Sequence, residues 1–125
     1  MAGESGINTN NNTAIATGTG SLAVAGIGNV GVGNVTSYNT AIGRDGGRAF
    51  AADFCINCAN NTATAIGDGS GALAGNSSTN SNNNTAFATG PNSPGSFSIA
   101  WAGVKVSGVG GFTAIAGPNQ TVMNP

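Results

Sequence analysis

Small and larger side chains alternate in short runs along the chain. The runs are Thr13-Ala14-Ile15-Ala16-Thr17, Thr40-Ala41-Ile42, Thr62-Ala63-Thr64-Ala65-Ile66, Thr85-Ala86-Phe87-Ala88-Thr89 and Phe112-Thr113-Ala114-Ile115-Ala116. A period of two is the signature of a strand, because successive side chains point to opposite faces. A second kind of run follows at a short distance: Ala23-Val24-Ala25, Ala49-Phe50-Ala51, Ala72-Leu73-Ala74 and Ala100-Trp101-Ala102. Between the two kinds lie Gly, Asn, Asp and Pro, which supply the dihedral angles of tight corners. Helical spacing is absent, and the glycine density penalises any helix.

The paired runs recur. Anchored on Gly18, Gly43, Gly67, Gly90 and Gly117, the copies are 25, 24, 23 and 27 residues apart. A repeat of this length with two or three short strands reads as one coil of a solenoid. The sequence therefore predicts an all-β chain: a parallel β-solenoid of about five coils of roughly 25 residues, with no significant helix. Residues 1–12 read as an Asn-rich N-terminal segment and residues 13–125 as a single solenoid domain. Stacked at about 4.8 Å, five coils stand roughly 24 Å tall. In the last copy the pattern shifts by one residue relative to the others, which predicts a weaker register there.

Stacking turns equivalent positions into columns. Val24, Phe50, Leu73 and Trp101 form one column, expected inside as a core column, with their flanking alanines outside. The first run offers two faces. Ala14, Ala16, Ala41, Ala63, Ala65, Ala86 and Ala88 form one. Thr13, Thr17, Thr40, Thr62, Thr64, Thr85 and Thr89, with Ile15, Ile42, Ile66 and Phe87, form the other. If the Ile and Phe side chains point inward, the alanines make a flat oligomer face. If the alanines point inward, a Thr/Ile ladder becomes the flat binding face.

Composition fits a thin, repetitive body. Glycine supplies 22 of 125 residues and large core residues are few. Each glycine loses much backbone freedom on folding, so a thick core is hard to stabilise. Only 6 % of residues are charged and the net charge is −1, against about 25 % charged in ordinary domains. Nucleic-acid binding needs clustered Lys or Arg, and attraction to anionic membranes needs the same; both are excluded as partners. The N-terminal MAGESGINTNNN has neither a basic n-region nor an apolar h-region. No stretch approaches the roughly 20 apolar residues of a membrane helix, so no membrane insertion is expected.

The stretches ANNTATAIGDGSGALAGNSS, from Ala59 to Ser78, and YNTAIGRDGG, from Tyr38 to Gly47, resemble the head repeats of trimeric autotransporter adhesins. The resemblance covers short pieces of each copy, about half the chain. It departs in coil length, since adhesin head coils are much shorter than about 25 residues. It implies a β-roll that trimerises through flat small-residue faces and serves as an adhesive or structural surface element; the location expected for the chain is extracellular, on the cell surface or, if exported by assembly, on a virion.

Candidate chemistry is thin. There is no histidine, which removes the commonest general base and a main zinc ligand. Asp45, Asp53 and Asp68 read as corner residues and partners of Arg44 or Arg48 in surface ion pairs, rather than as a catalytic carboxylate pair. Cys55-Ile56-Asn57-Cys58 has no second pair to complete a zinc site and no thioredoxin-like setting; a local Cys55–Cys58 disulfide is expected in an oxidising compartment. Sequons at Asn11, Asn34, Asn60, Asn76, Asn83 and Asn119 are what chance gives in a Thr/Asn-rich chain. Trp101, Phe97 and Ile99 suggest either a sugar-stacking patch or a denser core, and the core is favoured. No catalytic residue, cofactor or metal is assigned, and the chain is read as non-enzymatic. A glycan hydrolase would need paired acids in a groove and ranks last. The leading reading is a structural or adhesive module that assembles with itself, a homotrimer by resemblance, and contacts a host surface. An ice-binding protein using the Thr/Ile ladder is the alternative.

Overall fold

The computed structural model describes residues 1, 9–26, 36–52, 56–75, 79–90, 97–105 and 108–125. None of the described residues is helical. In chain order the strands are β1 (Thr9–Asn10), β2 (Thr13–Thr17), β3 (Leu22–Ala25), β4 (Thr36–Ser37), β5 (Thr40–Arg44) and β6 (Arg48–Ala51). They continue as β7 (Cys58–Ala59), β8 (Thr62–Ile66), β9 (Ser70–Ala74), β10 (Thr85–Thr89), β11 (Ser98–Ala102), β12 (Thr113–Ala116) and β13 (Thr121–Asn124). Every strand pairs in parallel with its counterparts in the adjacent coils. The first sheet runs β2-β5-β8-β10-β12 and the second β3-β6-β9-β11-β13, while β1-β4-β7 make a narrow third side. The result is a β-solenoid of about four turns, roughly 24 residues each. Thr9 and Asn10 pair with Thr36 and Ser37, so part of the segment assigned to residues 1–12 belongs to the first coil.

The register follows threonine, not glycine. Thr13, Thr40, Thr62, Thr85 and Thr113 lie side by side in successive strands, at steps of 27, 22, 23 and 28 residues. Gly43 pairs with Ala16, inside the strand rather than at the corner. The expected slip in the last copy does not occur: Phe87 pairs with Ile115 and Ala88 with Ala116. The extra residues sit in the connections, while the stacked side chains hold the strands in phase.

The interior is alanine. Ala41, Ala63, Ala65, Ala86 and Ala88 of the first sheet and Ala49, Ala51, Ala72, Ala74, Ala100 and Ala102 of the second are fully buried and face one another. Alanine loses no rotamer freedom on burial, and it lets the two sheets approach closely. At Gly43 even a methyl group has no room, since a Cβ there would lie 2.5 Å from the Leu22 carbonyl oxygen. This reverses the expected placement of the second run. Phe50, Leu73 and Trp101 do stack as neighbours, but they are only partly buried, on the outer side of the second sheet. The core is their flanking alanines. Val24, in the same column, is covered on that outer side.

The third side is closed by asparagines. Asn39, Asn61 and Asn84 are fully buried, each immediately before a strand of the first sheet. The side-chain amide of Asn39 donates to Asn12 Oδ1 at 3.1 Å, that of Asn61 to Asn39 Oδ1 at 3.1 Å, and that of Asn84 to Asn61 Oδ1 at 2.8 Å. Each Oδ1 also accepts the backbone N–H of the next member, ending with Phe112 N–H on Asn84 Oδ1. Phe112 stands where a fifth asparagine would be and ends the ladder. The residue before each member, Asn11, Tyr38, Asn60 or Asn83, has φ between 54° and 59°, the left-handed conformation asparagine tolerates best. The corner after the second run presses on the same ladder. A Cβ on Gly75 would lie 2.9 Å from the Asn61 amide, and φ there is 68°.

Asn61→Ala removes a donor and an acceptor at once and leaves the Asn84 backbone N–H buried without a partner. The expected loss is about 2–4 kcal/mol, read by urea denaturation. Thr62→Ala, one residue on and pointing outward, is expected to cost less than about 1 kcal/mol.

Candidate contact faces

With alanine inside, the side chains that can meet a partner stand on the outer faces. On the first sheet three outward columns lie side by side. The first is an unbroken line of hydroxyls and methyls: Thr13, Thr40, Thr62, Thr85 and Thr113. The second is apolar except for one hydroxyl: Ile15, Ile42, Thr64, Phe87 and Ile115. The third holds Thr17, Arg44, Ile66 and Thr89. The seven threonines read from the sequence as one flat face thus share one side of one sheet. They divide among three columns, and the one charged side chain among these strand residues, Arg44, is at the margin.

The alanine face is not available to a second subunit. Ala41, Ala63, Ala65, Ala86 and Ala88 have no solvent exposure. Ala14 is half-buried against the core and Ala16 is exposed, since β2 is the edge strand of its sheet among the described residues. The expected oligomer seam is therefore the core. The reason is steric, since sheets separated by methyl groups have no space for Ile or Phe.

The second sheet's outer side carries Val24, Phe50, Leu73, Trp101 and Met123 in one column. Beside it run Leu22, Arg48, Gly71, Ile99 and Thr121. Among the described residues the buried Trp101 indole nitrogen has no hydrogen-bond partner, where a buried indole N–H usually finds one. Phe97 is exposed, just before β11, so it belongs to no core.

Asp45 and Asp68 sit exposed on the corner between the first and second sheets. The Asp45 backbone N–H is tied to the Thr17 carbonyl at 2.9 Å. Asp53 lies outside the described residues. Among the described residues no three His, Cys, Asp or Glu side chains come together as a metal site would require, and no helix is long and apolar enough to cross a membrane. Cys58 is fully buried and disulfide-bonded. The chain's other cysteine, Cys55, lies outside the described residues. The Ser81 backbone N–H donates to Cys58 Sγ at 3.3 Å, and the Asn39 amide donates to the Cys58 carbonyl at 3.1 Å, so this half-cystine is built into the third side beside the asparagine ladder.

No family profile, characterised protein or solved structure matches the chain.

Two adjacent residues separate fold from face. Ala65→Arg forces a charge and a long side chain between the sheets, and its desolvation penalty approaches the roughly 5–15 kcal/mol that holds such a domain together. Loss of the β-sheet circular dichroism signal is expected. Thr64→Arg points outward and is expected to shift stability by less than about 1 kcal/mol. For the cysteines, intact-mass measurement without reductant is expected to show two hydrogens fewer than after reduction, with a Cys55–Cys58 link in peptide maps. Replacing both by serine is expected to cost about 1–3 kcal/mol, because the closed loop is short.

Proposed function

We propose that the chain is a non-enzymatic structural or adhesive module. It works by laying the outer face of its first sheet against another ordered surface, in the first place the same face of a second copy. The observation that carries this reading is the face itself: five parallel strands in one register, with a continuous threonine column beside a largely apolar one. Such a surface repeats at the strand spacing of about 4.8 Å, so two copies, or a copy and any surface of like period, meet along their whole length. The low charge supports it, since seven charged residues in 125 leave little repulsion to overcome. The assembly seam proposed here is Thr13, Thr40, Thr62, Thr64 and Thr85 with their Ile and Phe neighbours, not the alanines. Three copies remain the number implied by the resemblance to adhesin heads. A disulfide built into the coil supports an oxidising location outside the cytoplasm.

One observation favours a second reading. The first column is unbroken threonine over the five strands of the sheet, and a flat array of hydroxyl and methyl groups is what recognition of ice requires. Phe87 and Arg44 interrupt the array in the neighbouring columns, which places this reading second.

The mass of the whole chain in solution, measured by light scattering over a range of concentrations, tests both. The parent is expected to be a closed oligomer and Thr64→Arg a folded monomer. A parent that stays monomeric and produces thermal hysteresis lost in Thr64→Arg would replace the assembly reading with the ice-binding one. A parent that is monomeric and without hysteresis overturns self-assembly through this face.

A further inference from the structure

The outward column Leu22, Arg48, Gly71, Ile99 and Thr121 on the second sheet is interrupted once, at Gly71. Nothing about the backbone calls for glycine there. Gly71 is not among the residues with positive φ, and a Cβ built on it would meet nothing within 4 Å. Its neighbour in β9, Ala72, packs the core from the other side of the same strand. A glycine in a strand interior weakens the strand when no close approach demands it. The missing side chain adds to an open notch of about 400 Å³ that runs from Gly71 to the glycines of the corner, Gly20, Gly46 and Gly69.

The walls of the notch come from three coils and one corner. Arg48 stands one coil before Gly71 and Ile99 one coil after it. Asp68 and Thr19 come from the corner between the sheets, and Phe97 from the residue before β11. Phe97 is 63 % exposed as a residue and lines the notch, so its aromatic side chain is accessible there. A guanidinium donates, a carboxylate accepts and a threonine hydroxyl does both. One positive and one negative group leave the notch without net charge, which disfavours an anion or a cation. An aromatic face beside polar groups of both kinds suits a ring with apolar C–H edges and several hydroxyls.

We propose that the Gly71 notch binds a neutral hexose unit of a glycan, stacked on Phe97 and hydrogen-bonded to Arg48 and Asp68. The site lies off the first sheet, and it stands or falls independently of assembly through that face.

The test uses the whole chain, isotopically labelled and titrated separately with cellotetraose and maltotetraose, read by amide chemical shifts. At least one is expected to give saturable shifts at Arg48, Asp68, Gly71 and Ile99. Gly71→Ile puts a branched side chain that suits a strand into the notch beside Arg48 and Ile99, and is expected to keep or raise the unfolding temperature while weakening binding by about tenfold or more, some 1.4 kcal/mol. Phe97→Ala, at an exposed position, is expected to weaken binding similarly and decides the matter should Gly71→Ile not fold. Absence of saturable shifts with both sugars, shifts confined to the first sheet, or unchanged affinity in either folded variant overturns the proposal. None of these outcomes depends on the oligomeric mass that tests the assembly reading.

Discussion

Everything in this molecule follows from how close the two main sheets stand. The interior columns are alanine at nearly every level, with glycine at Gly43, Val122 in the last coil and Asn124 beside it. A core of methyl groups buries little apolar area per residue, so its hydrophobic contribution is small. It also costs no side-chain entropy, and it allows dense packing without voids, the arrangement that keeps interiors stable. The remaining stabilisation comes from parallel ladders that run the length of the stack. Each coil is then both product and template: the alanines of one level fix the height and phase of the next.

The asparagine ladder completes that template on the side where sheet pairing is shortest. Strands β1, β4 and β7 contribute two residues each, too few to seal the coil. Asn39, Asn61 and Asn84 fill the gap with amides that hydrogen-bond along the stack and also capture backbone groups of adjacent turns. An amide both donates and accepts, so a stacked asparagine satisfies the level above and the level below at once. Buried polar groups that are fully paired specify one arrangement, and partly paired ones are costly. The ladder therefore fixes which residue enters each strand of the first sheet, and through it the register on which the outer columns depend. Phe112 ends it by substituting packing for hydrogen bonding at the last level.

The strands, the parallel stacking and the coil length were legible because Thr-Ala alternation is itself the geometry of a pleated strand. The stacking of Val24, Phe50, Leu73 and Trp101 was legible for the same reason. Their side was not. The expectation that large apolar residues lie inside assumes an interior wide enough to hold them, and width is a property of two sheets together, not of one run. A signal was present: the alanine positions hardly vary between copies, whereas their neighbours range from Val to Trp, as positions with free space outside them do. The ladder asparagines were not singled out: Asn12 was placed in the Asn-rich N-terminal segment, and only the residues before them, Asn11, Asn60 and Asn83, were noted, as chance sequons. The tell-tale is that Asn12, Asn39, Asn61 and Asn84 each directly precede the threonine that starts a run. Glycine anchors misplaced the register because corners vary, with Arg44 and Asp45 taking one of them, while the threonine column is constant.

An interior one methyl deep also constrains what kind of function the fold supports. Among the described residues the alanine layer leaves no room for a ligand between the two main sheets, so a partner of these sheets is met on their outer side. A flat face arises wherever an outward column is continuous, as with the five threonines. A recess opens where a column skips a side chain, as at Gly71. The same architecture thus offers two kinds of site by one device, the presence or absence of a side chain at an outward position, while the inward positions are held to alanine. Substitutions inside report on folding alone, and substitutions outside leave the coil intact and report on contact. That separation follows from burial on a period of two, and it makes the outer columns the place where the chemistry of this protein is decided.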